Sequence, residues 1–422
     1  MLKLYRFLVN FFFPLVTIII FLRTFLNKED KVRYKEKLFT SSLNIQKKSK
    51  KKLIWFHAAS IGEIKSIVPL IEKFDKEGNY EFLITTQTLS SAGLIKKIFN
   101  KQNIIHRYFP VDRPKLIKVF LDGWSPNIAI FVESEIWPNF INQIKIKKIP
   151  LILLNARITK KTFSKWNTVP KTSKKIFSNF DLCLSSSVQT QEYLQKLNVK
   201  NIKYLGNLKL AGEVILDNKV SIINKDLNKR LFWCALSTHN EENLFCLNVH
   251  RILKNTFSNL TTIIIPRHIN KVKSVQSVCK KLNLENQILS NDDKIDKKKD
   301  IIIINSYGNT SKYLNLCKSV FIGKSLIKKL EKVSGQNPIE AAKLGCKIYS
   351  GPYIYNFQEI YELLKKNDIS EIINSENELS NKISIDFKTT DKVKDTKIKI
   401  INDLGDKILV DIHAEVNKIL IK

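Results

Sequence analysis

A short apolar run followed by a helix-patterned stretch recurs along this chain, and that alternation restricts it to a parallel-sheet α/β architecture. Residues 53–57, 81–85, 127–133 and 150–154 form the first series of runs. The periodicity fades around 206–228, then restarts at 231–236, 262–265, 301–305, 320–322 and 347–349. A length of 422 residues exceeds what one hydrophobic core normally serves, so the two series read as two domains. The boundaries predicted are a membrane anchor over 1–26, a basic linker over 27–52, an N-terminal α/β domain over 53–220 and a C-terminal one over 221–422. The stretch 393–421 has the pattern of a long amphipathic helix broken at Gly405, closing the second domain. Open parallel sheets bind ligands at the carboxyl ends of their strands, so a cleft between the two domains is the expected site.

The first residues are apolar on every side. Phe7 to Leu22 carries no charge, interrupted only by Asn10 and Pro14. This falls short of the ~20 residues that span a bilayer, so a kinked or shallow insertion is expected, with a buried core helix as the alternative. Basic residues are denser after the run (Arg23, Lys28, Lys31, Arg33, Lys35, Lys37) than before it (Lys3, Arg6), which places the body in the cytoplasm. Formal net charge is +32, yet only nine of the 71 basic residues are arginine. Nucleic-acid readers lean on arginine forks. A lysine coat suits solvation or attraction to anionic inner-membrane lipids. Six scattered cysteines with no C-x-x-C pair, and six histidines without paired spacing, give no zinc signature and fit a reducing compartment. No metal site and no cofactor is expected.

Residues able to do chemistry follow the apolar runs. In W-F-H-A-A-S-I-G-E, Glu63 stands three residues after Ser60. That is capping-box spacing, and it also fits a general base at a strand-to-helix turn. A helix N-terminus lowers a carboxylate pKa, whereas a base working near neutrality wants it raised. In F-V-E-S-E-I-W-P-N, Glu133 and Glu135 stand on a loop opening a helix, available for acid–base work or for helix-dipole compensation. Arg157, in L-L-N-A-R-I-T, offers a planar fork for a carboxylate or phosphate, or an ion pair to either glutamate. In the second half, Ser237 and Thr238 of S-T-H-N-E-E precede a helix and can cap it or meet an anion. Arg267 and His268 lie just past a strand in I-I-I-P-R-H. Gly323 and Ser325 (V-F-I-G-K-S-L), then Asn337 and Glu340 (S-G-Q-N-P-I-E-A-A), suggest amides free to cradle a phosphate and a carboxylate for ribose hydroxyls. Neither a G-x-x-x-x-G-K-[ST] loop nor a G-x-G-x-x-G after a strand is present, which counts against P-loop and dinucleotide enzymes.

Taken together, H-A-A-S-I-G-E, T-T-Q-T, Y-F-P-V-D, E-S-E-I-W-P-N, N-A-R-I-T, G-N-L-K, S-T-H, P-R-H, G-K-S, N-P-I-E-A-A and G-P-Y-I-Y-N-F stand in order from the N-terminus to about residue 365. In that order they resemble the 3-deoxy-D-manno-octulosonic acid (Kdo) transferases of lipopolysaccharide assembly. The resemblance implies a GT-B fold of two Rossmann-like domains facing a cleft, a CMP-Kdo donor and a lipid A precursor as acceptor. It implies Glu63 as the base and Arg267, Gly323, Ser325, Asn337 and Glu340 on the donor side. The chain departs from the family at Lys324, where a glycine is usual, and at Ser334-Gly335-Gln336-Asn337, where Gly-Gly-His-Asn is usual. Two other readings remain: another GT-B sugar-nucleotide enzyme such as an epimerase, and a membrane-tethered nucleic-acid binder. The lipid-seeking N-terminus argues against the first. The lack of interleaved basic and aromatic patches argues against the second.

Overall fold

Parallel pairing throughout is the signature of the computed structural model, which describes residues 1–43, 45, 50–212, 214, 227, 230–290, 293–306 and 310–421. Two units emerge. The first is Met1–Gly212 together with Gly405–Lys422, and the second is Glu213–Leu404.

In the first unit, β1 (Lys52–His57), β2 (Tyr80–Thr86), β3 (Ile104–Tyr108), β4 (Ile128–Val132), β5 (Leu151–Ala156), β6 (Leu182–Ser185) and β7 (Ile202–Tyr204) make one sheet in the order β3-β2-β1-β4-β5-β6-β7. The central strands are buried on both faces, which is why they read as unbroken apolar runs. Trp55 of β1 anchors the core. Its ring centroid lies 5.0 Å from Phe120, 5.3 Å from Phe131 and 5.7 Å from Phe140. Truncating such a side chain costs roughly 3–5 kcal/mol.

The second unit repeats the plan with β8 (Leu231–Thr238), β9 (Leu260–Pro266), β10 (Asn286–Leu289), β11 (Ile301–Ile304), β12 (Ser319–Ile322), β13 (Lys347–Ser350) and β14 (Ser370–Ile372), ordered β10-β11-β9-β8-β12-β13-β14. Four consecutive isoleucines fill β11, all buried. In each sheet the chain builds one side of its first strand and then crosses to the other, with β11 of the second sheet returning between β9 and the edge strand β10. The carboxyl ends of β1 and β4, and those of β8 and β12, therefore flank a crevice at the switch point.

Several parts of the chain differ from the sequence expectation. The helix Asp391–Leu420 runs without a break through Gly405. A Cβ there would sit 2.2 Å from the Leu210 carbonyl oxygen, so the glycine admits a close backbone approach. The end of this helix packs with the first unit, not the second. His413 meets Phe74 at 4.3 Å between centroids, and Lys203 pairs with Glu415 at 2.7 Å. Within 27–52, the segment Arg33–Lys37 is a packed 3-10 turn. Lys37 is buried 2.5 Å from Glu29 and donates to the Gln87 carbonyl at 2.7 Å.

The N-terminus forms two helices, Leu2–Phe11 and Phe13–Phe25, bent by 53° with Pro14 in the first turn of the second. No single described helix is long and apolar enough to cross a membrane, whereas this bent pair passes by length and composition together. The first helix is held to the body by polar groups. Tyr5 donates to Asp112 (2.8 Å), Arg6 to Asn139 (3.1 Å), and Arg113 to Asn10 (3.0 Å). Its remaining faces expose Leu4, Phe7, Leu8 and Phe11, and the second helix exposes Leu15, Ile18, Ile19, Phe21, Leu22 and Phe25.

Candidate active site

Three glutamates gather at the first crevice. Glu63 is the third residue of the helix Ile61–Asp75, which starts just past β1. Ser60 caps the helix by accepting the Glu63 N–H (3.4 Å), but the Glu63 carboxylate reaches back past the Ser60 N–H, so the expected capping box is not closed. The Ala59 N–H donates to Glu63 Oε2 (2.7 Å) and the Ser60 hydroxyl to Glu63 Oε1 (2.8 Å). Burial nevertheless dominates. Desolvation, reinforced by the charges of Glu133 and Glu135, pushes the Glu63 carboxyl up to about 7 against the lowering pull of those hydrogen bonds. The conflict posed by its helix position is thus resolved by packing.

The other two carboxylates are already engaged. Glu135 accepts from Trp137 Nε1 (2.7 Å), lies 3.1 Å from His57 Nε2, and receives a long contact from Gln87 Nε2 (3.5 Å). Burial alone would raise its pKa, but the hydrogen bonds and charge of His57, with the Trp137 donor, hold it below the usual value. Glu133 sits in the left-handed region at φ 58° and pairs with Lys209 at 2.5 Å. Arg157 is tied to this loop through its main chain. Its N–H donates to the Glu133 carbonyl (3.2 Å), and its carbonyl accepts from Ser134 Oγ (2.6 Å). Among the described residues Glu63 has no ion pair, and its carboxyl, pushed up to about 7, is placed to act as a base near neutrality.

At the second crevice the predicted residues take unequal roles. Thr238 ends β8 with its Oγ1 buried and, among the described residues, without a hydrogen-bond partner, and Ser237 is left-handed at φ 57°. Neither caps the following helix Asn240–Lys254. Its N-cap is His239, whose N–H donates to Glu242 Oε2 (3.0 Å). Arg267 and His268 follow β9 with exposed side chains, and the Arg267 N–H donates to the Thr238 carbonyl (3.2 Å). Glu340 accepts from Thr310 Oγ1 at 3.3 Å.

The expected cradle of free amides is not what the geometry offers. The Gly323 N–H donates to the Leu236 carbonyl (2.8 Å), and those of Lys324, Ser325 and Leu326 donate to Glu242. Ser325 is buried, and its Oγ bonds the Ile322 carbonyl and accepts from Gly351 N–H. Asn337 uses its Oδ1 on the Ile339 N–H (3.0 Å), and the helix there, Ile339–Lys343, is a single short turn. Sequence reading assigned no role to His57, Lys209 or Glu242. For Glu242 a signal existed, since it stands three residues after the true N-cap.

Comparison with known proteins agrees with this layout. A family model described as 3-deoxy-D-manno-octulosonic-acid transferase (kdotransferase) matches residues 33–211. A 3-deoxy-D-manno-octulosonic acid transferase of Rickettsia bellii is 30% identical over 396 residues, 93% of this chain and 89% of that one. One from Haemophilus influenzae is 27% identical over 322 residues, covering 74% and 73% respectively. Among solved structures, a glycosyltransferase from Rickettsia africae matches with a TM-score of 0.58 at 12% identity, covering 89% of this chain and 100% of that one. A UDP-GlcNAc 2-epimerase from Neisseria meningitidis matches with a TM-score of 0.58 at 11% identity, covering 87% and 100%. These likenesses carry the fold, GT-B with two parallel-sheet α/β units, and do not separate transfer from epimerisation.

Proposed function

The chain belongs to the 3-deoxy-D-manno-octulosonic acid transferase family, and from that premise we propose that it transfers Kdo from CMP-Kdo to a sugar hydroxyl of a lipid A precursor resembling lipid IVA, in lipopolysaccharide biosynthesis. The observation that carries the chemistry is Glu63, raised to about 7 between two neighbours that are already paired. The acceptor oxygen forms a bond to the anomeric carbon of Kdo while the bond from that carbon to the CMP phosphate breaks. Glu63 takes the hydroxyl proton, and CMP leaves with the electron pair. Lys209 pairs with Glu133 and His57 with Glu135, while burial and the charges of both glutamates raise Glu63 to about 7, so that near neutral pH a share of it is ionised and able to take the proton. On the donor unit, Arg267 and His268 supply cationic and hydrogen-bonding side chains for phosphate or base, with Thr238 beside them. Glu340 is the acceptor for ribose hydroxyls. Incubating the protein with CMP-Kdo and lipid A precursor, then weighing the lipid, tests this reading. An unchanged lipid mass with intact donor would sink it.

The N-terminal pair attaches the enzyme to the inner membrane with its body in the cytoplasm. Support comes from the apolar faces left exposed, from the basic residues that follow, and from the polar clamp of Tyr5, Arg6 and Asn10. A first helix bonded to Asp112 and Asn139 suits insertion into one leaflet better than a span, because those partners belong to the water-soluble body.

A further inference from the structure

The second crevice is bridged by a single acid. Glu242 is buried in the first turn of helix Asn240–Lys254, and its carboxylate accepts four backbone N–H groups. Oε2 takes those of His239 (3.0 Å) and Lys324 (2.7 Å), and Oε1 takes those of Ser325 (2.8 Å) and Leu326 (3.1 Å). A run of amides turned toward one point is an anion nest, and here the protein supplies the anion. Gly323 makes room for it, since a Cβ there would lie 2.7 Å from Glu242 Oε2. The nest thus ties the end of β12 to the helix that follows β8.

The grip fixes Lys324. Its backbone is held in the left-handed region at φ 58°, a conformation L side chains rarely adopt unless their surroundings impose it. Among the described residues no carboxylate pairs with its ammonium. The groups around it are basic. Arg267 is close enough to add to burial in lowering the Lys324 pKa. Burial lowers the His239 pKa and Lys324 and His268 add to that, against the raising pull of Glu242 and of the Ser237 backbone, and the two imidazoles stand 6.3 Å apart. Arg267, His268, His239 and Lys324 thus stand at the ends of β8, β9 and β12, while the Glu242 carboxylate is turned onto the loop amides, with His239 Nδ1 3.9 Å from its Oε2.

We infer that Glu242 is a positioning residue: by filling the loop's amides with its own carboxylate, it makes the Lys324 side chain, not backbone N–H, the group that contacts an anionic part of the donor. This rests on the reading of the chain as a CMP-Kdo-dependent transferase. CMP-Kdo carries two anionic groups, the phosphodiester and the sugar carboxylate. Either can take the ammonium, which then becomes a charge-assisted contact.

The test is steady-state kinetics with CMP-Kdo plus calorimetric titration of CMP, on the wild type and on Lys324→Ala, Lys324→Arg, Glu242→Gln and the Glu242→Gln/Lys324→Ala double variant. Lys324→Ala should raise KM for CMP-Kdo about tenfold with kcat within about twofold, the size expected of one charge-assisted hydrogen bond. Lys324→Arg should recover most of that loss. Glu242→Gln should raise KM similarly, and the double variant should be no worse than Glu242→Gln alone, because both changes remove one contact. CMP affinity falling in Lys324→Ala assigns the contact to the phosphate. CMP affinity holding while KM rises assigns it to the sugar carboxylate. Wild-type KM and CMP affinity in Lys324→Ala overturn the inference, as do losses that multiply in the double variant. If Glu242→Gln does not fold, the Lys324→Ala and Lys324→Arg pair decides alone. A wild-type chain that neither binds CMP nor consumes CMP-Kdo overturns the donor reading itself.

Discussion

Glu63 answers to two opposing demands, bonding the turn before its helix and accepting a proton. The hydrogen bonds want a carboxylate, while burial and two like charges want a neutral acid, and the second pair of effects wins. Replacing it as Glu63→Gln should reduce turnover by roughly 10²–10⁴-fold with CMP affinity retained. A variant near the wild-type rate would move the role to Glu133 or Glu135. The pH dependence has a definite sign. The folded carboxyl titrates near 7 and the unfolded one near its usual 4.5, so kcat/KM should climb with pH through about 7 as the base ionises. Stability should move the other way. As pH rises between those two values the unfolded chain loses its proton first, so the folded state weakens until both are ionised. Melting curves of Glu63→Gln and wild type should therefore coincide at about pH 4 and separate toward pH 8, with the variant higher. Parallel curves at all pH values would show the raised pKa to be absent. The position of Glu63 was legible in sequence, because strand, turn and cap spacing are local. Its pKa was not, because it depends first on burial in the folded crevice and then on residues 133 and 135 arriving from another strand.

Elements that bury both faces announce themselves, and those at sheet edges do not. β4 and β11 are apolar throughout, and β1 and β8 over their central residues. β3, with its His-Arg pair, and β7 and β14, with a charged central residue, lie at or next to a sheet edge where one side faces water, so their composition blends into loop. Gly405 misleads for a related reason. Local propensity marks it as a helix breaker, yet what selects it is the backbone of Leu210. Gly405→Ala gains about 1 kcal/mol in helix propensity and meets an overpacking cost of typically 1–3 kcal/mol. We expect a net loss of stability, seen as a lower urea midpoint, and a raised midpoint would show that nothing presses on the helix there. The N-terminal pair is the element most separable from the rest. Deleting residues 1–26 should leave a folded body, since Asp112 keeps the N–H groups of Asn139 and Phe140 after losing Tyr5. The truncated protein should leave anionic vesicles as salt rises, because only screened lysine attraction remains. Failure to fold would instead make the segment part of the core.

Across the whole molecule, a charge of +32 carried mostly by lysine sets no fold and selects no ligand. In the proposed reading the two switch-point crevices do the selecting, and the second is where a nucleotide-sugar enzyme and a nucleic-acid binder are told apart. Glu340→Ala should weaken CMP binding about tenfold or more, as the loss of one or two buried charge-assisted hydrogen bonds implies. Arg267→Ala should weaken it too, while Lys50→Ala should leave it unchanged. Calorimetry giving one affinity for all three would remove the nucleotide site from the second unit. The doubled α/β plan was readable from the recurrence of apolar runs. The allocation of the tail was not, because periodicity reports which face of a helix is buried and says nothing about which core receives it.

That allocation has a consequence for how the chain comes into being. Gly405–Lys422 completes the unit begun by Met1, with Lys52 reaching the carbonyl of Leu420. These residues are synthesised after the whole of the second unit. The first-made core must therefore wait, unfinished, through synthesis of the entire second unit before its closing helix emerges. Vectorial synthesis of this chain therefore starts the first unit before the second and supplies its closing helix only after it.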